Sequence, residues 1–219
     1  MKRTVASAIA TRLHLRSDLH LARKAWHLFM GCFIAGVYVS GMSRSTGVMI
    51  LATVLGSDLL LETMRLKSPA LNEKIMRVWG PLMRSCEVNR LSGVPFYLAA
   101  SILAIGIFPK PIAVLSILYL ACGDPIASLF GVLYGDKGPR FANGKSWVGT
   151  SAGILACMLV TVVFLRSMNL PDSTVLALTV AGGIAGGTAE LLPLEVDDNF
   201  SIPIVSGFAL WLTFILLGI

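Results

Sequence analysis

Long apolar runs separated by short polar connections make up most of the chain. A helix that crosses the hydrocarbon core of a membrane needs about 20 mostly apolar residues, and the runs have roughly that length. The pattern therefore predicts an all-α polytopic membrane helix bundle with about seven transmembrane helices. These helices are expected at residues 26–42, 46–61, 91–108, 112–134, 147–165, 174–192 and 202–219.

The connection between the second and third runs differs from the others. Residues 62–90 are too many for a turn and too often interrupted by charges to span a membrane. Between residues 73 and 84, apolar side chains alternate with charged ones, which predicts an interfacial helix in the headgroup layer, interrupted at Gly80-Pro81. A plain solvated linker is the alternative.

Composition agrees with a single integral membrane domain over residues 1–219. The mean hydropathy is +0.78, apolar residues make up 55% of the chain and charged residues only 14%. The net charge of +6 could suggest a nucleic-acid partner, but the basic residues flank the apolar runs. We therefore expect contacts with lipid headgroups and no nucleic acid. The sequence is also compatible with a homo-oligomer.

Two further features limit the range of interpretations. The four cysteines show no CxxC spacing, so we expect free thiols and neither a disulfide framework nor a zinc site. Residues 1–25 form a basic arm, predicted to be a cytoplasmic or interfacial segment. Residues 1–17 are rich in Arg and lack acids, so an organelle transit segment is the alternative for them. We favour the interfacial arm, because positive charge continues to Arg23-Lys24 at the first run.

The distribution of Lys and Arg predicts the orientation of the bundle. If the N-terminus is cytoplasmic, only three of the 18 Lys and Arg residues lie outside, namely Arg44, Lys110 and Arg166. Positive residues are enriched on the cytoplasmic side of membranes, so we expect the N-terminus inside and the C-terminus outside. The protein would lie in the cell membrane if the source is a bacterium. The predicted topology also places residues 62–90, 136–146 and 193–201 together on the nucleotide-containing side.

Asp124 stands inside the apolar run of the fourth predicted helix. An acid at membrane depth costs a few kcal/mol and usually marks a function. Pro125 removes a backbone N–H and frees a carbonyl, so either water reaches Asp124 or the helix is unwound there. Ser128 follows one turn later on the same face. A buried Asp paired for structural reasons is the alternative.

The chain leaves this helix along a face of small residues and returns at Lys145-Ser146. Small residues recur every fourth position from Gly123 to Gly135, which lets a neighbouring helix approach closely. The start of the next helix would attract anions, and Lys145 adds a positive charge, so we predict phosphate contacts. The spacing is not that of a Walker P-loop, because five residues separate Gly138 from Gly144. Ser146 as an ordinary N-cap is the alternative.

Acidic and basic residues at the ends of other runs complete the candidate site. Glu190 ends the sixth run, and an acidic turn before the seventh contains Glu195, Asp197 and Asp198-Asn199. Such hard oxygen ligands suit Mg²⁺ bridging phosphates, although a solvated acidic turn is the alternative for Glu195 and Asp197. Basic residues at the first and third runs, Arg23, Lys24 and Arg84, could equally be positive-inside anchors.

These residues, taken in order, resemble the CTP-dependent lipid-alcohol kinases, the group of dolichol kinase, phytol kinase and CTP-dependent diacylglycerol kinase. The likeness covers nearly the whole chain, and Val148 stands where members commonly carry an acid. The matching residues are Arg23-Lys24-x-x-His27, Arg84-x-x-Glu87 with Ser92-Gly93, Gly123-Asp124-x-x-Ala127-Ser128-x-x-Gly131-x-x-x-Gly135, Gly144-Lys145-Ser146-x-x-Gly149-Thr150, Glu190 and Asp198-Asn199-x-x-x-Pro203.

The resemblance implies that CTP, with Mg²⁺, phosphorylates a lipid alcohol such as a polyprenol, dolichol, phytol or diacylglycerol at the cytoplasmic face. We expect catalytic roles for Asp124, Lys145 and Asp198, and metal ligation by Asp124, Glu190 and Asp198. The residues expected to bind the cofactor are Arg23, Lys24, His27, Arg84, Glu87, Ser128, Gly131, Gly144, Ser146 and Asn199. The alternatives are a phosphatidate cytidylyltransferase, which would make CDP-diacylglycerol, and an ion-coupled transporter using Asp124 and Glu190.

Overall fold

The computed structural model describes residues 20–192, 194 and 196–219, and within them the fold is all-helical, with no β-strand. The predicted basic arm lies outside the described residues as far as residue 19, as does Glu195. The α-helices of the described part are α1 (Leu21–Val39), α2 (Arg44–Lys67), α3 (Pro69–Trp79), α4 (Gly93–Ile107), α5 (Lys110–Leu118), α6 (Asp124–Tyr134), α7 (Trp147–Leu165), α8 (Asp172–Thr188) and α9 (Asp198–Leu216).

Several helices are suited to a membrane by length and composition. Five helical stretches of the described part are long and apolar enough to span: Arg44–Lys67, Lys110–Tyr134, Trp147–Met168, Asp172–Leu191 and Asp198–Leu216. The third predicted run corresponds to a shorter apolar helix, α4, and the first corresponds to α1, which begins among the charges of Arg23 and Lys24. The count of seven spans therefore stays a prediction.

The start of the last helix differs from the sequence prediction because of local capping. The last span was expected to begin at residue 202, and this was wrong: α9 begins at Asp198 and contains Pro203. The Asp197 side chain accepts a hydrogen bond from the backbone N–H of Asn199, which starts the helix earlier.

In the 62–90 connection, Ser68 caps α3 and Pro69 occupies its first turn. As predicted, α3 stops before Gly80-Pro81, and 3₁₀ turns at Gly80–Leu82 and Ser85–Asn89 follow.

The centre of the bundle is α5 together with a π-helical segment, Tyr119–Gly123. Leu115, Ile117 and Leu120 in this stretch are fully buried. It contacts α1, α4, α7 and α9, so helices from both halves of the chain pack against one apolar rod. The N–H of Asp124 donates to the carbonyl of Tyr119, which carries the chain into α6 without unwinding it. A π-segment of this kind is a frequent mark of a functional site.

Small residues let α6 and α7 approach each other closely. A Cβ placed on Gly149 would lie 2.6 Å from the carbonyl oxygen of Ala127, and one on Gly135 would lie 2.8 Å from Ser146 Cβ. Larger side chains at these positions would push the two helices apart. The predicted small-residue face therefore packs on the start of α7. This packing holds α6, which carries Asp124, next to the loop that carries Lys145.

Arg65 ties the 85–92 segment to α2. Its guanidinium makes two hydrogen bonds of 2.8 Å to the Glu62 carboxylate and donates to the carbonyls of Glu87 (3.1 Å) and Arg90 (2.7 Å). The Glu62 carboxylate also accepts from the N–H of Ser92. This buried pair is thus saturated with hydrogen bonds, and it holds the segment that bears Arg84 and Glu87 against the bundle.

Candidate active site

A polar cavity of about 450 Å³ opens at one end of the bundle. It is formed by the start of α1, the segment around Arg84, all but the last turn of α6, the loop into α7, and the α8–α9 connection. Its volume lies in the range of small-molecule sites. The charged residues that line it are Arg23, Lys24, Arg84, Asp124, Asp136, Arg140, Lys145, Glu190 and Asp198.

Lys145 lies between two carboxylates that come from opposite sides of the α8–α9 connection. Its Nζ is 2.6 Å from Glu190 Oε2 and 3.2 Å from Asp198 Oδ2. The Thr150 hydroxyl lies 3.5 Å from the other Glu190 oxygen. One ammonium group and two carboxylates therefore contact each other at one place in the cavity wall.

The surroundings of Lys145 keep it charged. Burial alone would lower its pKa, but the carboxylates of Glu190 and Asp198 outweigh burial and hold the Lys145 pKa above its ordinary value. The ammonium is a compact charge on a flexible stem, and it can exchange a carboxylate for a phosphate without losing its proton.

Asp124 and Ser128 line the same cavity from α6. Asp124 lies directly after the π-segment and is the single acid of α6. The sequence left open whether water reaches Asp124 or the helix is unwound. The cavity reaches the residue, and the helix remains continuous through its π turn.

The loop before α7 has a defined shape. Residues 140 and 146 form an isolated antiparallel bridge, and the N–H of Phe141 donates to the carbonyl of Lys145. Gly144 closes this turn with a φ of +81°, a conformation that favours glycine. The rings of Phe141 and Trp147 stack at 4.9 Å. The loop thereby presents Lys145 to the cavity from a fixed backbone.

Most of the hydrogen-bonding capacity at the start of α7 is already used. The N–H of Trp147 donates to Pro139, and the N–H of Gly149 donates to the Ser146 hydroxyl at 3.0 Å. Ser146 is therefore the N-cap of α7, as the alternative interpretation held. An anion would be attracted here by the helix dipole and by Lys145 more than by free backbone amides.

Arg23 is held in place by Glu87. One guanidinium nitrogen of Arg23 lies 3.0 Å and 2.9 Å from the two Glu87 oxygens and 3.2 Å from the carbonyl of Leu82. Glu87 also accepts from the N–H of Arg84. Glu87 does not line the cavity; it lies behind the wall and fixes the positions of both arginines.

His27 has a similar supporting residue. Its Nε2 lies 2.7 Å from Asn199 Oδ1, and the Asn199 amide donates to the carbonyl of Gly93. A Cβ on Gly93 would lie 2.8 Å from the Arg23 guanidinium and would also collide with the Asn199 amide. Glycine at position 93 therefore makes room for this network. Asn199 itself is buried behind the cavity wall.

The structure brings most of the predicted residues to one place. Those that line the cavity are Arg23, Lys24, His27, Arg84, Asp124, Ser128, Gly131, Gly144, Lys145, Ser146, Glu190 and Asp198. The three expected metal ligands share the cavity, but no group of three or more His, Cys, Asp or Glu among the described residues is close enough to hold an ion by itself.

Sequence reasoning did not select several other lining residues. Asn143 and Thr150 are neutral and gave no signal, although Thr150 belongs to the Gly149-Thr150 pair of the family resemblance. Arg140 was assigned to a basic loop; it donates to Asp136 at 2.6 Å and to the carbonyl of Gly144 at 2.9 Å. A charged loop that returns directly to a candidate helix start was the signal that could have identified it.

Comparison with known proteins identifies the family. The chain is 30% identical to CTP-dependent diacylglycerol kinase 1 of Eremothecium gossypii, over 90% of this chain and 70% of that protein. It is also 30% identical to the protein of the same name from Schizosaccharomyces pombe, over 88% of this chain and 92% of the relative. This chain belongs to the family of CTP-dependent lipid-alcohol kinases. A shorter match, 39% identical over 60% of this chain and 59% of the relative, is to a phytol kinase of Synechocystis.

Membership in this kinase family makes the chain an enzyme that phosphorylates a lipid alcohol, and it does not favour the alternative functions. The resemblance stated from the motifs is thereby confirmed. No family model and no solved structure matches the chain.

Proposed function

We propose that this protein transfers the γ-phosphoryl group of CTP to the hydroxyl of a lipid alcohol, and that the transfer takes place in the polar cavity. The observation that carries the proposal is the meeting of five cationic side chains and four carboxylates, from five separate parts of a membrane-type fold, around one cavity. Phosphoryl transfer depends mainly on positioning and on neutralising charge, which such a cavity can supply.

The reaction balances without a further reactant. The lipid hydroxyl oxygen forms a bond to the γ-phosphorus while the bond between that phosphorus and the β–γ bridging oxygen breaks. CDP leaves, and the hydroxyl proton passes to a carboxylate, for which Asp124 is the candidate. The products are CDP and a lipid monophosphate.

We assign phosphate binding to cations that already face the cavity. Lys145 would exchange one of its two carboxylates for a phosphate oxygen, and Arg23, Lys24 and Arg84 would contact the remaining phosphates. Glu87 and Asn199 would act as positioning residues through Arg23 and His27, since they lie behind the wall.

The residues present are compatible with Mg²⁺. Magnesium is usually bound by one or two carboxylates together with substrate phosphates and water, so a complete cluster of protein ligands is not required. Glu190 and Asp198 already flank one cation, the Lys145 ammonium, and they are the pair that would hold the ion, with Asp124 facing the same space. When bound, Mg²⁺ would neutralise charge that develops on the transferring phosphate.

We further propose that the cavity faces the cytoplasm, in a single domain with seven spans. The segments that form the cavity are the ones in which Lys and Arg concentrate. At the opposite end, Arg44 and Lys110 donate to loop carbonyls at Phe108 and Met42. Thiol labelling of single-cysteine variants in intact cells, with cysteine placed at 143 or at 169, tests this orientation.

The function is tested with labelled nucleotide. Purified protein in lipid nanodiscs is supplied with CTP labelled at the γ- or the α-phosphate and with diacylglycerol, phytol, farnesol or a polyprenol. Diacylglycerol is the first acceptor to test, because the two relatives matched over most of this chain carry that substrate in their names. The γ label, and not the α label, should appear in the lipid.

The variant Asp124→Asn keeps the size of the side chain and removes its charge. We expect transfer to fall by at least about a hundredfold with little change in thermal stability, as expected for loss of a group that acts on the reacting atoms. Transfer of the α label would show a cytidylyltransferase instead. An unchanged rate in the variant would remove Asp124 from the chemistry.

A further inference from the structure

A second cavity, of about 310 Å³, lies on the other side of α1. It is enclosed by α1, α2 and α4 and covered by α3 and the 3₁₀ turns that follow it. We call it the acceptor cleft. Most of its lining is apolar, and side chains at its edge, such as Trp26, Val54 and Trp79, are 37–47% exposed. Because these exposed side chains lie on a membrane-type surface, the cleft opens toward lipid.

The polar groups of the acceptor cleft are gathered at one end. Arg23, Glu62 and Ser92 lie at the start of α1, the end of α2 and the start of α4, which meet at the level of the polar cavity. Ile34 and Val54 lie two or more turns away along α1 and α2, and Leu98 lies more than one turn away along α4. The cleft therefore matches an elongated molecule with one polar end and a long hydrocarbon end.

Asp58 is an acid of this cleft with an unsatisfied atom. Its Oδ2 is buried and has no hydrogen-bond partner within the described part of the chain. The neighbouring acid, Glu62, is by contrast fully engaged with Arg65 and Ser92. A buried carboxylate oxygen without a partner costs free energy unless a ligand donates to it, and a hydroxyl is such a donor.

The acceptor cleft and the polar cavity share a wall. Arg23 and His27 line both of them from adjacent turns of α1. A molecule in the cleft whose polar end rests against this wall would lie next to two side chains that also face the phosphate-binding side. This is the arrangement that a reaction between a membrane lipid and a water-soluble nucleotide requires.

We propose that the acceptor cleft holds the lipid alcohol before transfer, with its hydroxyl donating to Asp58 and its hydrocarbon chain running past Val54 into the bilayer. For transfer, the hydroxyl leaves Asp58 and passes the Arg23–His27 wall to reach Asp124 in the polar cavity. This inference rests on the proposed function, since it names where the acceptor of that reaction binds. A cleft of 310 Å³ holds the polar end and the first part of the chain, while the remainder stays in the membrane.

The test uses a matched pair of tryptophan substitutions. Val54→Trp fills the mouth of the acceptor cleft, whereas Val163→Trp places the same side chain on the exposed face of α7, away from both cavities. The two valines are 47% and 67% exposed, so neither substitution enters the core. Kinetics are measured in nanodiscs with γ-labelled CTP and dioleoylglycerol or phytol.

We expect Val54→Trp to raise the KM for the lipid at least about tenfold and to leave the KM for CTP within about twofold, while Val163→Trp behaves as wild type. Asp58→Leu should also raise the lipid KM, and Asp58→Asn, which keeps an oxygen acceptor, should restore most of the affinity. An unchanged lipid KM in both Val54→Trp and Asp58→Leu would overturn the cleft. If the wild type transfers no γ label to any lipid, the proposed function fails instead.

Photo-crosslinking gives a second readout that needs neither turnover nor a folded variant. A diazirine-bearing diacylglycerol or phytol is irradiated with the wild-type protein, and the modified peptides are mapped. Adducts on α1, α2 and α4 that excess unlabelled alcohol removes support the cleft. Adducts confined to α7–α9 would overturn it, as would equal labelling by a diazirine phosphatidylcholine, which would indicate ordinary bilayer lipid.

Discussion

Two clusters of charge in this molecule differ in how far the protein encloses them. Arg65 and Glu62 form an ion pair in which the side chains are 0% and 7% exposed, and their further hydrogen bonds go to backbone groups and to the Asn72 side chain. Lys145 is shared between Glu190 and Asp198, and the lysine and Asp198 side chains are 25% and 27% exposed. The first cluster is closed, and the second opens into a cavity.

The difference separates a structural role from a chemical one. A buried ion pair whose hydrogen bonds are all made within the protein has no donor or acceptor left for a ligand. Removal of one partner leaves the charge of the other buried and uncompensated. A single cation between two carboxylates at the wall of a cavity can change partners, because each carboxylate or the cation can turn to an incoming ion. The comparison predicts that the first cluster controls stability and the second controls activity.

The largest expected effect is on stability. Arg65→Leu should lower the free energy of unfolding by roughly 3–5 kcal/mol, because the Glu62 carboxylate and three backbone carbonyls lose their partner inside the protein. Thermal unfolding in detergent measures the change. The control is Arg77→Leu, which breaks an exposed pair with Glu73 and should change the unfolding temperature little. Equal effects of the two substitutions would contradict the assignment of Arg65.

The next effect is on activity. Lys145→Met should lower kcat/KM for CTP about a hundredfold, because a positive charge facing the phosphates is lost. Its unfolding temperature should fall less than that of Arg65→Leu, since Asp198 is partly exposed to water. Steady-state transfer of the γ label measures kcat/KM. A variant with full activity would show that the open cluster is structural as well.

A smaller effect is expected behind the cavity wall. Glu87→Gln keeps hydrogen bonds to Arg23 but removes the charge that orients it. We expect about a tenfold loss of kcat/KM, or about 1.4 kcal/mol of transition-state stabilisation, with the same substrate preference. Conservative Glu87→Asp, which restores the charge at a shorter reach, should recover part of the loss. A loss as large as that of Lys145→Met would mean that Glu87 contacts the substrate directly.

The site residues that could be predicted from the sequence are charged side chains within or at the ends of apolar runs, where a charge is costly. Asp124 and Glu190 stand at the interior or end of apolar runs, and Lys145 begins one, so each called for an explanation. The cavity brings these three together. The all-helical fold followed from the length of the apolar runs for the same reason, since hydrocarbon admits few other structures.

What could not be predicted depends on packing between segments distant in sequence. Arg65 has the appearance of an ordinary positive residue after a span, and only the fold places the carbonyls of Glu87, Val88 and Arg90 around it. The acceptor cleft has no motif, because it is a space left between four helices. For the π-segment before Asp124, the sequence predicted only a break at Pro125. A proline shows where the backbone hydrogen bonds of a helix are interrupted, but it does not show how the chain restores them.

CTP should stabilise the wild type more than Lys145→Met, and thermal unfolding with and without CTP measures the difference. A nucleotide that binds the folded state should raise its stability by about 2.7 kcal/mol at a hundred times the dissociation constant. Our account predicts a clear rise in the unfolding temperature of the wild type and of Arg77→Leu, and a much smaller rise at the same CTP concentration for Lys145→Met. An equal rise for Lys145→Met would contradict the claim that the open cluster binds the nucleotide.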